Sequence, residues 1–144
     1  MWFVMNIDYT VTALMFPAIP LTISIYSNRF HTLSSLIRKL HDEYIFEKHI
    51  PSEWEKQLLN LNGRIKLLRY SIVFASFGFL FNMLTVFALY LDMIFEARVI
   101  FGCCCLAMIC SIIFFLREIQ LSTKALKLHP VSYTHLTLPT KRIV

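Results

Sequence analysis

Three long stretches of this chain are free of charge, and the charged residues collect between and beyond them. The first runs from Tyr9 to Tyr26 and is broken only by Thr, Ser and the prolines Pro17 and Pro20. The second, Ser71 to Leu91, has Asn82 as its most polar member. The third, Val99 to Leu116, begins just after Arg98 and stops just before Arg117 and Glu118. An α-helix rises about 1.5 Å per residue, so runs of this length reach roughly 27 to 31 Å, the thickness of a hydrocarbon core. The pattern therefore predicts three transmembrane helices. Pro17 and Pro20 remove two helical donors, which neighbouring helices can compensate, and a kink is expected near them.

Between the first two spans the pattern changes period. Phe30, Leu33, Ile37, Leu40 and Tyr44 recur every three or four residues, which places one apolar stripe on a helix continuing from the first span. Pro51 breaks that helix. Ser52-Glu53-Trp54-Glu55 then reads as a capping box in which a hydroxyl and a carboxylate satisfy orphan amides at a helix start. The new helix carries a second stripe, Trp54, Leu58, Leu61, Ile65 and Leu68, and runs on into the second span, with Gly63 a weak point of about 1 kcal/mol relative to Ala. The two stripes imply a helical extension outside the membrane that packs against something.

Composition supports a lipid environment: 57% of residues are hydrophobic and 16% charged, and the mean hydropathy is +0.61, above the range of soluble domains. The net charge of +5 does not point to nucleic acid, because the basic residues flank apolar spans rather than interleave with aromatics on one module. Lys and Arg are retained on the cytoplasmic side. Residues 27–70 carry Arg29, Arg38, Lys39, Lys48, Lys56, Arg64, Lys66 and Arg69, whereas the 92–98 connector carries Arg98 and nothing basic precedes Tyr9. The expected organisation is an outer end and first transmembrane helix at 1–26 and a cytoplasmic helical hairpin at 27–70. A second transmembrane helix at 71–91, a short extracellular turn at 92–98 and a third transmembrane helix at 99–116 follow, then a cytoplasmic helix end at 117–129. Residues 130–144 change abruptly to Thr, Pro and His without periodicity. Val131 to Thr140 resembles translated sequencing-adapter readthrough, which implies a natural chain truncated near Pro130.

Candidate chemistry is sparse. Cys103, Cys104 and Cys105 are adjacent, so on a helix they point about 100° apart and cannot converge on one ion; with Cys110 they read as small polarizable packing residues. His31, His41, His49, His129 and His135 lack the spacing of a zinc-binding helix pair. Asp42, Glu43, Glu47, Glu53 and Glu55 alternate with Lys and Arg as on a solvated, ion-paired helix face. Three Gly cannot build a phosphate loop. Asn82, mid-span, should face another helix or a water-filled path, while Glu96 and Arg98 read as interface anchors. No enzyme site, cofactor or metal is expected, and no ligand-binding residue can be named.

The layout is a span entering the cell, a helical excursion opening with Arg29-Phe30-His31-Thr32-Leu33, a span leaving, a short outer turn and a span re-entering. It resembles the fourth to sixth helices of the insect gustatory and odorant receptor superfamily over residues 9–129, with Glu118 to Leu126 similar to the polar end of that family's sixth helix. The resemblance implies an all-α integral membrane helical bundle that is a fragment of a seven-helix receptor, whose seventh, pore-lining helix lies outside this sequence. It implies a plasma-membrane, multi-pass, ligand-gated cation channel for tastants or odorants, assembled as a homo- or hetero-oligomer, with a small-molecule ligand and no nucleic acid. Two other readings stand beside it: a small multi-pass membrane adaptor docking a partner through the Trp54 to Leu68 face, and a fragment of a G-protein-coupled chemoreceptor.

Overall fold

The computed structural model describes residues 9–46 and 52–127. The chain forms three helices: α1 (Tyr9–Phe46), α2 (Ser52–Tyr90) and α3 (Ile94–Lys127), with no strand among the described residues. All three are long and apolar enough to cross a membrane, the mark of a membrane protein. α1 runs unbroken through Pro17 and Pro20 and on past the first apolar run. α2 starts at Ser52, with Glu53 and Glu55 in its first turn, where acidic groups complement the helix dipole. The adapter-like tail from 130 onward lies outside the described residues.

The connector is shorter than residues 92–98. α2 extends to Tyr90, and α3 already begins at Ile94, so Glu96 and Arg98 belong to its first turns. The stop is a Schellman motif: the Asp92 amide donates to Leu89 O at 3.1 Å and the Met93 amide to Ala88 O at 3.0 Å. That geometry requires the left-handed backbone region, and Asp92 adopts it at φ 59°. Asp tolerates this conformation better than most residues, though less readily than Gly. Ala88, Leu89 and Ala97, with Ile100 against them, close the hairpin just behind the turn.

The buried positions follow a seven-residue repeat. On α1 they are Thr12, Ile19, Tyr26 and Leu33. On α3 they are Ala97, Cys104, Ser111 and Glu118. α2 buries two such rows, Leu61, Leu68, Ala75, Asn82 and Leu89, and Ser71, Gly78 and Thr85, with Ala88 off both rows beside the turn. The difference follows from position, since α2 packs against both other helices and needs a seam on each side. A strict period of seven keeps a seam in register only if the helices wind around each other with a left-handed twist.

Residue size sets how closely the helices approach. On the α3 side of α2, a Cβ at Gly78 would meet Met108 Sδ at 2.9 Å and Cγ at 3.1 Å, and Ser111 Oγ donates to Ser71 O at 2.8 Å. Small residues and interhelical hydrogen bonds of this kind hold helices together in lipid, where apolar burial gives no advantage over hydrocarbon. On the α1 side the seam becomes bulkier beyond the apolar spans, where Leu33, Leu61 and Leu68 pack with Phe30, Ile37, Leu40, Ile65 and Phe115. The two amphipathic stripes predicted from sequence thus pack on each other. The outward faces of the helices carry large exposed apolar side chains, among them Leu14, Leu21, Phe87 and Leu106, as a lipid-facing surface does.

Candidate functional site: a buried charge cluster joining three helices

Glu118 occupies the last position of the α3 repeat, where the preceding members are Ala97, Cys104 and Ser111. Its side chain is 0% exposed. An isolated carboxylate in such a place is strongly unfavourable, so it must be matched by opposite charge and hydrogen bonds. Two arginines supply both. Arg64 of α2 donates from Nη2 at 2.9 Å and from Nε at 3.1 Å, both to Oε1. Arg29 of α1 brings Nε to 2.9 Å from Oε2, an ion pair whose N–H is not aligned for a hydrogen bond, so Oε2 has charge compensation without a donor. One carboxylate therefore ties all three helices, one oxygen to each neighbour.

Apolar packing orients the arginines. Tyr26 and Phe115 pack as a tilted pair with ring centroids 4.5 Å apart, and the Arg29 guanidinium lies 5.7 Å from the centre of the same Phe115 ring, within cation–π range. The arginine side chains are 39% and 14% exposed for Arg29 and Arg64, so the cluster opens toward solvent on the α1 side and is closed on the α2 side. With two arginines and one carboxylate it carries a formal net charge of +1, and its contacts fasten the three helices together.

A second polar contact lies deeper. Asn82 is fully buried in the α1-facing row of α2, as the sequence requires of a mid-span amide, and its Nδ2 donates to Thr12 O at 3.4 Å. Its Oδ1 has no partner among the described residues. Cys103 is exposed, Cys104 buried, and Cys105 and Cys110 intermediate, so the cysteines point in different directions; no metal-binding group occurs among the described residues. His31 and His41 lie on exposed positions of α1, and Asp42, Glu43, Glu53 and Glu55 are likewise exposed. Glu47, His49, His129 and His135 fall outside the described residues.

A family model described as a protein of unknown function, DUF2721, matches residues 9–128, the whole of the three-helix unit. The chain belongs to the DUF2721 family. No curated protein and no solved structure matches it. The DUF2721 match takes in every residue of the charge cluster and every member of the seven-residue repeats.

Sequence reasoning did not single out Arg29, Arg64 or Glu118 as a cluster. The available signal was the period: Glu118 stands seven residues after Ser111, which demands a charge inside a seam of small residues, and Arg29 and Arg64 each lie three residues after a seam member, Tyr26 and Leu61.

Proposed function

We propose that this chain is a small multi-pass membrane adaptor: its three spans anchor a rigid two-helix extension that reaches into the cytoplasm and docks a partner protein. The observation that carries the reading is where the extension spends its apolar residues. Leu33, Leu61 and Leu68 are used internally, so much of the Trp54 to Leu68 stripe is occupied by α1. Beyond them Tyr44, Ile45, Phe46, Leu58 and Leu59 remain exposed, Phe46 at 90%, amid Arg38, Lys39, Asp42, Glu43 and Lys56. Large exposed apolar side chains on a charged extension have the character of a protein-docking surface, and the Arg29–Glu118–Arg64 fastening gives the extension a fixed attitude relative to the spans.

The family match supports treating the three helices as one unit, since a single model runs across all of them. The chemoreceptor resemblance rests on the same order of spans, and ligand-gated cation conduction is the outcome that would displace the adaptor reading. The test is photo-crosslinking of the full chain in native membranes, with a photoreactive residue at Phe46 or Leu59 and, as a lipid-facing control, at Phe87. A discrete protein adduct at the first two positions, lost on Ile45→Ser/Leu58→Ser, is expected. Lipid adducts alone at all three, or cation flux through the reconstituted chain evoked by small organic ligands, would overturn it.

A further inference from the structure

A groove of about 350 Å³ opens on the face of α2 and α3 turned away from α1, lined by Leu67, Ile113, Phe114, Arg117, Gln120, Leu121 and Lys124. Its position matters more than its size. Ile113 and Phe114 lie in the last turn of the apolar run of α3 and Arg117 is the first charge after it, so the groove straddles the boundary between hydrocarbon and headgroups. Its deep end is apolar, with Phe114 stacked on Phe74 at 5.5 Å and set against Tyr70 at 5.7 Å. Its outer end presents the Arg117 guanidinium, the Gln120 amide and the Lys124 ammonium, spaced three and four residues apart on one face of α3.

Among the described residues these cations face no carboxylate. Glu118, the only acidic residue of α3 after Glu96, points into the seam and is matched by Arg29 and Arg64. α2 carries no acid after Glu55. We infer that the groove binds one anionic phospholipid, its phosphate held between Arg117, Gln120 and Lys124 and the start of one acyl chain lying on Leu67, Ile113 and Phe114. Charge complementarity selects the headgroup: a phosphodiester takes bidentate donation from Arg and a point charge from Lys. The apolar continuation of the same groove into the bilayer selects a lipid over a free anion. Basic pockets between transmembrane helices at a headgroup boundary are a recognised way of holding such lipids. The inference rests on the membrane placement of the helices and is independent of whether the extension docks a partner.

Native mass spectrometry of the full chain in neutral detergent tests it, with phosphatidylglycerol and phosphatidylcholine of identical acyl chains titrated separately and soluble glycerol phosphate as competitor. One saturable phosphatidylglycerol adduct per chain is expected, with at least about tenfold preference over phosphatidylcholine. The variant Arg117→Gln/Lys124→Gln should weaken it roughly 30-fold, about fivefold per cation. Leu121→Trp, which fills the groove and leaves both charges in place, should also abolish the adduct, so the conclusion does not hang on one variant folding. Arg98→Gln, at the opposite end of α3, should change nothing. Equal binding of the two lipids, undiminished affinity for phosphatidylglycerol in either groove variant, equal weakening by Arg98→Gln, or displacement by glycerol phosphate at lipid-like concentration would each overturn the assignment.

Discussion

Replacing Glu118 by Ala should be among the most damaging single changes in this chain. The substitution leaves the Arg64 guanidinium, only 14% exposed, without the carboxylate that now accepts two of its N–H groups. Removing one partner of a buried pair costs about 3–5 kcal/mol, because the remaining charge stays desolvated and unmatched. Coulomb attraction at about 4 Å and an effective dielectric constant of 20 gives a similar figure of about 4 kcal/mol. Arg29, 39% exposed, is screened by solvent, and its removal should cost no more than about 1 kcal/mol. Glu118→Gln keeps an acceptor for Arg64 but loses the charge, so it should fall between, at about 2 kcal/mol. By contrast the triple change Arg29→Leu, Arg64→Met and Glu118→Leu, which takes out every charge together, should be neutral or stabilising. The measurement is reversible unfolding of the full chain in mixed micelles of increasing sodium dodecyl sulfate content, followed by circular dichroism, with exposed Glu96→Ala as the reference. If Glu118→Ala matches Glu96→Ala, or if Arg29→Ala costs more than Arg64→Ala, the cluster does not fasten the bundle as described.

Further expectations concern the seams and the turn. Gly78→Val should destabilise by about 1–3 kcal/mol, because the new side chain meets Met108 at a tight α2–α3 approach, whereas Gly102→Ala, which meets nothing within 4 Å, should be neutral or slightly favourable in the same unfolding assay. Asp92→Gly should stabilise by up to about 1 kcal/mol by relieving the left-handed backbone at φ 59°, and Asp92→Val should destabilise; an inverse order of melting temperatures would refute the Schellman reading of the turn. Asn82→Val should be neutral or stabilising by about 1 kcal/mol, since it removes an acceptor with no partner among the described residues and only a long hydrogen bond at 3.4 Å; a loss above about 2 kcal/mol would show that Oδ1 has a partner in the membrane.

The chain's pattern of charge and hydropathy determined a good deal without any structure. Uncharged runs of bilayer length at 9–26, 71–91 and 99–116 marked three helices long and apolar enough to cross a membrane, and the three-to-four spacing of Phe30 to Tyr44 and Trp54 to Leu68 made helices of the segments between. Pro51 and Ser52 marked where α2 begins. For Asn82 the sequence left open another helix or a water-filled path, because an amide facing hydrocarbon is unfavourable; the structure puts it in the seam against Thr12. The extent of the outer turn was not legible, since a helix can carry Glu96 and Arg98 as readily as a loop can, and a left-handed Asp at position 92 is a property of backbone geometry rather than of hydropathy.

The charge cluster belonged to the tertiary structure alone. In a linear reading Arg29, Arg64 and Glu118 look like three of many charges bordering apolar segments, and a positive flank explains the arginines fully. Only the antiparallel register, with Thr12 opposite Asn82 and Ser71 opposite Ser111, brings residues 29, 64 and 118 to one level. Sequence sets which solvent each segment can tolerate, because that depends on each residue's own transfer free energy. Which charges meet depends on how two seams slide past each other, and that is decided by the fit of Gly78 against Met108 and of Leu33 against Leu61 and Leu68.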